Sequence, residues 1–400
     1  MKTYDYLILG GGMTAASAAN AIREVDTSGS IGMISAESHP PYNRPPLSKK
    51  LWHGKAEETI WFKLPTEQFD LLLNTRVTTI DPVNRHLIDE NGNPYGYGKL
   101  LLATGGTPRK IAGAPEEIVY YRTVDDYHQL RSWTGKGKRI GLIGGGFIGS
   151  EIAASLADNG EKVTMAYLED AIGARVYPKG LADYVTNYFV QKGIEVHPHI
   201  DIQGVEKDAA GFAMHAKDGQ TIRADHIIAG LGIIPNTDLA QAAGIAVAGP
   251  EGGRGIIVDE FLRTNLPDVY AAGDVASFYN PALQRQMRVE HEDNALSMGK
   301  TAGYNMAGRT TPYQHQPYFY SDLFDLGYEA VGELDSRMDI VEDWVEPFRT
   351  GVIYYLKEQK VRGVLLWNTW GQVDAARRLI VEGKTVTAAE LRGRLPETGG

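Results

Sequence analysis

Cysteine is absent from these 400 residues. That excludes a redox disulfide, a sulfenic-acid centre, a cysteine nucleophile and thiolate-held iron–sulfur clusters. No apolar run approaches the roughly 20 residues of a membrane-spanning helix, so no span is expected. Positive charge is in deficit: the formal net charge is −10, which argues against nucleic acid as a default partner. An acidic carrier protein would need a local basic patch, which composition does not locate. No metal-ligand set is visible, and no metal is expected. There is no low-complexity segment and no solenoid repeat. Residues Met1 to Tyr6 run straight into a strand pattern without signal-peptide or transit-peptide features, so a cytoplasmic protein is expected. The last six residues, Leu395 to Gly400, match a sortase recognition motif with no hydrophobic stretch or basic tail after it; they read as an engineered ligation tag outside the fold.

What is present in quantity is glycine, and two of its clusters carry chemistry. Leu7-Ile8-Leu9-Gly10-Gly11-Gly12-Met13-Thr14 and Leu142-Ile143-Gly144-Gly145-Gly146-Phe147-Ile148-Gly149 each follow an apolar run and precede a helix-forming stretch, Ala15 to Val25 and Ile148 to Ala157. In that strand–turn–helix setting the glycines admit a tight turn, a close approach to a pyrophosphate and helix–strand packing. Glu37 stands after a second strand, Ile31 to Ser35, and Glu169 after Val163 to Leu168; each is about 20 residues past its glycines, where a ribose diol is bound. An acid at 169 repels a 2′-phosphate and favours NAD over NADP, with Arg175 close enough to weaken the preference. Two such sites on one chain imply two dinucleotides held against each other, the usual purpose being hydride transfer between nicotinamide and flavin.

Further strands end in small-residue turns: Leu100 to Leu102 before Ala103-Thr104-Gly105, Ala224 to Ala229 before Gly230-Leu231-Gly232, and Val269 to Ala272 before Gly273-Asp274. Such turns let a ligand approach. The order implies that the second nucleotide domain is inserted into the first. The segment His39 to Lys50 is fixed by prolines, carries Arg44 and Lys49 as placed cations, and has Ser48 as a candidate helix cap; by composition alone it also reads as a surface linker. Beyond residue 310 an aromatic cluster, two strands (Thr350 to Lys357 and Val361 to Trp367) and two helices (Ala375 to Glu382 and Thr387 to Arg392) indicate a third domain. It suits dimerisation, covering of a flavin, or both. The expected fold is α/β, with two Rossmann-like dinucleotide-binding domains of glutathione-reductase-like type plus a C-terminal α+β domain. The expected boundaries are 1–117 with 233–312, 118–232, and 313–394.

Several segments together resemble a known family: Arg44-Pro45-Pro46-Leu47-Ser48-Lys49, Ala103 to Arg109, Gly144 to Glu151, Ala272-Gly273-Asp274, Arg288-Val289-Glu290-His291, Tyr320-Ser321-Asp322-Leu323 and Gly327-Tyr328-Glu329-Ala330. The chain resembles the FAD-dependent pyridine nucleotide oxidoreductases of the ferredoxin-reductase and apoptosis-inducing-factor type. The resemblance implies FAD at Gly10, Gly11, Gly12, Met13 and Thr14, with Glu37 on the adenosine ribose, Arg44 and Lys49 along the isoalloxazine, and Asp274 on the ribityl chain. Val77 and Arg122 occupy positions resembling further FAD contacts, and Thr104 and Gly105 line the same turn region. NAD is implied at Gly145, Gly146, Phe147, Ile148, Glu169, Arg175 and Gly232, and Glu290, His291, Tyr320 and Glu329 where nicotinamide meets flavin. Glu151 is implied to pair with Lys49, which makes Lys49, Glu151, His291 and Tyr320 the candidate catalytic set; His291 reads equally as a core histidine. Two departures stand out: Tyr320 replaces the family's common tryptophan, and a glutamate, Glu292, follows His291 where animal members carry a second histidine. Two roles remain open. One is an NADH-dependent oxidoreductase that passes electrons to an unidentified acceptor, ferredoxin-type or quinone; the other is an NADH sensor whose stable reduced complex controls dimerisation or partner binding.

Overall fold

Apolar runs without polar alternation form strands buried on both faces. Such a run, Tyr6-Leu7-Ile8-Leu9, completes the strand Lys2–Leu9, which centres the first sheet of the computed structural model; the structure describes residues 1–395. That strand pairs in parallel with Ile31–Ile34 on one side and Pro94–Leu102 on the other. Phe69–Leu72 and Val269–Ala271 add further parallel strands, and His86–Asp89 and Val77–Asp81 close the sheet in antiparallel fashion. Register decides what this sheet is for. Leu9 lies opposite Ile34 and Leu102, and Leu102 opposite Ala271. Four carboxyl ends therefore finish in one row, and the loops after them open on one edge, where parallel α/β sheets bind ligands.

The helix Met13–Val25 buries Ala15, Ala16, Ala18, Ala19, Ala21 and Ile22. That small-residue face admits a second helix, Glu292–Met306, at backbone range. A Cβ on Gly299 would run into the Thr14 carbonyl, and one on Gly303 into the Ala18 carbonyl. These elements belong to the first of two compact units, made of Met1–Arg44, Glu57–Thr107 and Ile234–Pro317.

The second unit comprises Pro45–Ala56, Pro108–Ile233 and the chain from Tyr318 onward. Its parallel sheet runs Glu195–His197, Lys162–Ala166, Arg139–Ile143, His226–Ala229, and again Ile143 is level with Ala166 and Ala229. The helix Phe147–Asp158 follows the strand Arg139–Ile143. A three-stranded antiparallel sheet of Ile202–Asp208, Gly211–Ala216 and Thr221–Ala224 lies in the same unit. The C-terminal part is a five-stranded antiparallel sheet in the order Tyr318–Leu323, Leu326–Gly332, Lys360–Trp367, Thr350–Lys357, Asp339–Glu346, with the helix Val373–Glu382 burying Ala376, Leu379 and Ile380.

The fold is α/β, with two Rossmann-like sheets and a C-terminal α+β part. The helices after both glycine clusters start two residues or one residue earlier than the sequence pattern indicates, at Met13 and Phe147. Ser48 caps no helix: it ends the 3-10 turn Pro45–Ser48, and its hydroxyl is drawn instead to Glu151. The strand Ile202–Asp208 ends in the charged run Glu206-Lys207-Asp208, and Gly211–Ala216 is a short run in which half the residues are small, so neither announces itself. Of the presumed tag, everything after Leu395 lies outside the described residues.

Candidate functional site

In the first unit the glycine turn is tight for visible reasons. Gly10 has φ +129, and a Cβ on it would strike the Ala103 carbonyl; one on Gly11 would strike the Ser35 side chain. Gly12 differs, because a Cβ there would meet nothing within 4 Å. It is also the N-cap of Met13–Val25 and contributes no side-chain cap. A helix N-terminus without a cap, behind an open glycine face, suits a diphosphate, whose oxygens accept from amide N–H groups.

The other carboxyl ends bring their residues to the same edge. Glu37 accepts from the Tyr42 hydroxyl at 2.8 Å and is ion-paired with Arg44. The Arg44 guanidinium stacks 5.0 Å from the Tyr42 ring. Burial is the largest single influence and works against the Arg44 charge, but Glu37, with Tyr42 and Asp274, outweighs it and the pKa is raised. Thr104 exchanges hydrogen bonds with Asn236, at 2.9 and 2.8 Å, and Gly105 takes φ +61. Gly273, at φ +79, leaves no room for a Cβ beside Thr14, so the Asp274 turn and the first glycine turn approach closely. Arg288 braces that turn through the Asp274 carbonyl at 2.9 Å and pairs with Glu290 at 2.6 Å. His291 is the N-cap of Glu292–Met306; burial holds its imidazole down to about 4, against the pull of Asp274 and Asp293. Val77 opens an antiparallel strand of the sheet.

The second unit repeats the cradle. A Cβ on Gly144 would strike the Gly230 carbonyl, one on Gly145 would press on the Tyr167 ring, and one on Gly149 would strike the Gly144 carbonyl. Gly146 faces open space and caps Phe147–Asp158 without a side-chain bond. Phe147 and Ile148 are exposed beside it, and Gly232, at φ +78, has nothing within 4 Å of a Cβ. Glu169 is ion-paired with Arg175 at 2.6 Å, Arg175 being 77% exposed. Arg122 leads into the helix Val124–Trp133, its N–H bonded to Asp126 at 2.9 Å.

A buried ionic cluster lies deeper in this unit. Glu151, 3% exposed, accepts from Lys49 Nζ and the Ser48 hydroxyl at one oxygen and from the Ser321 hydroxyl at the other, each at 2.6 Å. A buried carboxylate is tolerated when its lone pairs are satisfied in this way. Lys49 is 7% exposed, and its ammonium lies 5.2 Å from the Tyr320 ring centroid. The loop that carries it is fixed by the Tyr121 hydroxyl and Trp52 indole on the Leu47 carbonyl and by the Ser155 hydroxyl on the Ser48 carbonyl. Tyr320 pairs across strands with Glu329, whose carboxyl is pushed up by burial while the Gly371 N–H, at 3.1 Å, pulls it down.

Thus the structure gathers Gly10 to Thr14, Glu37, Arg44, Thr104, Gly105 and Asp274 in one unit and Lys49, Glu151, Tyr320 and Glu329 in the other. It adds Ser48, Ser321, Tyr42 and Asn236, to which sequence reasoning gave no such part. The first two were visible only as members of motifs, because their partner Glu151 is 103 and 170 positions away.

The model of a family described as pyridine nucleotide-disulphide oxidoreductase matches residues 4–299, and that of the apoptosis-inducing factor C-terminal part matches 302–347 and 342–382. The chain is 32% identical to a putative mitochondrial apoptosis-inducing factor 1 of Drosophila melanogaster over 96% of its own length, though it spans only 64% of that longer protein. It is 32% identical to the ferredoxin reductase subunit of a 5,5'-dehydrodivanillate O-demethylase from a Sphingobium species, over 96% of this chain and 95% of that one. The reductase solved in covalent complex with putidaredoxin superposes with a TM-score of 0.88 at 27% identity, over 97% of this chain and 95% of that one.

Proposed function

This chain belongs to the pyridine nucleotide-disulphide oxidoreductase family, and from that premise we propose that it takes hydride from NADH and hands the electrons singly to a small ferredoxin-type carrier. It is an NAD(P)H-dependent oxidoreductase with FAD and NAD(H) as cofactors. The observation that carries the reading is the duplicated cradle: two uncapped helix N-termini, each behind a glycine with open space, at Gly12 and Gly146. When bound, the flavin supplies the conversion between a two-electron donor and one-electron acceptors.

The remaining parts follow from residue chemistry. We assign the first cradle to FAD and the second to NAD. Met13 and Thr14 amides hold diphosphate in one, Phe147 and Ile148 amides in the other. Lys49 acts as a fixed positive charge that favours the reduced cofactor, and Glu151 keeps that charge compensated. Tyr320 and Glu329 orient the nicotinamide. Glu169 disfavours a 2′-phosphate, and NADH is the preferred donor. Among the described residues no helix is long and apolar enough to cross a membrane. We assign the cytoplasm, where NADH is supplied.

The test is steady-state turnover of the FAD-loaded protein with NADH and a panel of acceptors, beside the lifetime of the reduced protein in air. Rapid turnover with one-electron acceptors supports the proposal. Slow turnover with all of them, with a reduced complex that persists, favours sensing instead.

A further inference from the structure

The loop after Glu169 carries Arg175, and its backbone is tied down along its length. The Ile172 N–H bonds to the Thr186 hydroxyl at 2.9 Å, and the Gly173 N–H to the Gly145 carbonyl of the glycine turn at 3.2 Å. Gly173 has φ +69, and a Cβ on it would strike the Tyr177 ring. Three successive carbonyls then accept from the C-terminal part. Ala174 accepts from the Ser336 hydroxyl at 2.7 Å, Arg175 from the Ser336 N–H at 3.0 Å, and Val176 from the Tyr355 hydroxyl at 2.7 Å. Ser336 stands 162 positions beyond Ala174, so no local turn produces these bonds. Every residue in this network belongs to the second unit.

Ser336 is itself held firmly. It lies in the link between the strands Leu326–Gly332 and Asp339–Glu346. In that link Glu333 is ion-paired with Arg362 at 2.7 Å, the Met338 N–H bonds to the Asp335 carbonyl at 3.0 Å, and Arg337 pairs with Asp335 at 2.6 Å. Tyr355 is buried on the inner strand Thr350–Lys357. Tyr177, at the end of the loop, packs edge-on against Tyr328 and Trp367 of the same sheet. The loop is thus mounted on a rigid sheet, whereas the side chain it carries is open to water and meets Glu169 at 2.6 Å. An exposed ion pair contributes little, because holding two long side chains in one geometry costs entropy. A fixed backbone under Arg175 lowers that cost, since only side-chain torsions remain to be ordered.

We propose that Ser336, with Tyr355, is a positioning residue for nucleotide choice: it fixes the backbone of Arg175 so that the guanidinium stays beside Glu169, where it meets a 2′-phosphate. This rests on the reading that Glu169 faces the adenosine ribose of the second cradle, and it names what sets the strength of that acid's veto. With the brace in place, Arg175 offsets part of the repulsion between Glu169 and a phosphorylated ribose. Without it, Arg175 spreads over many conformations in solvent, and Glu169 acts alone. A C-terminal sheet that carries no nucleotide motif thereby tunes which nucleotide the preceding domain accepts.

The experiment measures binding of adenosine 2′,5′-bisphosphate and of AMP to the FAD-loaded protein by calorimetry, beside kcat and KM for NADH and NADPH. The two probes differ only in the 2′-phosphate. Ser336→Ala and Tyr355→Phe each remove one hydroxyl donor without adding bulk. The double variant should bind the bisphosphate about three- to tenfold more weakly than wild type, as expected for lost hydrogen bonds. Its affinity for AMP and its kcat with NADH should stay at the wild-type level, while KM for NADPH rises. Ser336→Thr, which keeps both donors, should behave as wild type. Arg175→Ala should show the same selective loss, and adding the double variant to it should change little further, because the brace acts through that side chain. Equal weakening of both probes in the double variant, or weakening of neither, overturns the positioning role, and a selective loss in Arg175→Ala then leaves the ribose reading standing. An Arg175→Ala protein that binds both probes as wild type does overturns the ribose reading and the brace with it.

Discussion

At the scale of single residues, Glu151 has the most demanding position. It is an ionised group with almost no access to water, and three donors replace the hydration it has lost. Glu151→Ala should therefore destabilise the protein by about 3–5 kcal/mol, because Lys49 is left charged and unpaired. Lys49→Met should cost less, since Ser48 and Ser321 remain on the carboxylate. The double variant should cost less than the sum, and denaturant titrations of the four proteins check this. Glu169 supports a different expectation. Its bond to the exposed Arg175 partly cancels the repulsion it presents to a 2′-phosphate. Glu169→Ala should raise kcat/KM for NADPH while Arg175→Ala lowers it, and a wild type that prefers NADPH would show the acid misassigned. His291 gives a pH dependence. Its pKa is lowered from the usual 6.5 to about 4, so between those values the unfolded chain binds the proton more readily. Stability should fall as pH drops from about 6.5 to 4, by an amount on the order of 3 kcal/mol. His291→Asn should flatten that part of the curve in denaturant midpoints measured at pH 7 and pH 4.5. Lys49 and Glu151 were legible because motifs carry them. Ser48 and Ser321 were not, since the hydrogen bonds that define them join segments with no local signature.

Elements are where the sequence reads best and where its silence is most instructive. Both glycine clusters sit between an apolar strand and a helix as their pattern requires, because a parallel strand buried on both faces leaves no ambiguity of period. The hairpin of Thr350–Lys357 and Lys360–Trp367 was likewise plain. The edge strands Ile202–Asp208 and Asp339–Glu346 alternate weakly and are charged where they meet solvent, so nothing in them separates strand from loop. The crossing of Met13–Val25 with Glu292–Met306 was invisible as well, although its glycines were in view. Gly299→Ala would press a methyl group on the Thr14 carbonyl. Overpacking of this kind costs typically about 1–3 kcal/mol, and the displaced neighbour is the turn assigned to FAD. The variant should release FAD at lower denaturant than wild type, read from flavin fluorescence, while Lys300→Ala on the exposed side of the same helix should not.

For the whole molecule, composition and connectivity each set a limit. A chain with no cysteine has no thiol to relay electrons to a disulfide. Ferricyanide should be reduced rapidly and glutathione disulfide not at all, measured as NADH oxidation at 340 nm; fast disulfide reduction without added thiols would contradict the assignment. Connectivity matters because the chain passes between the two units repeatedly, at 44–45, 56–57, 107–108, 233–234 and 317–318. Neither unit is a continuous stretch, which is why glycine motifs alone announce two nucleotide sites but do not reveal that Pro45–Ala56 belongs with the second.

The three donors on Glu151 also impose an order in time. A ribosome delivers Ser48 and Lys49 first, then Glu151, and Ser321 only after a further 170 positions. Throughout that interval the carboxylate has two of its three partners, and the strand that shields it, Tyr318–Leu323, has not been made. The nucleotide fold around Phe147–Asp158 must therefore wait, partly assembled, for chain that arrives much later. Nascent chains stalled just before Tyr318 should be readily cleaved by protease near Glu151, and those stalled well beyond the last sheet strand should not.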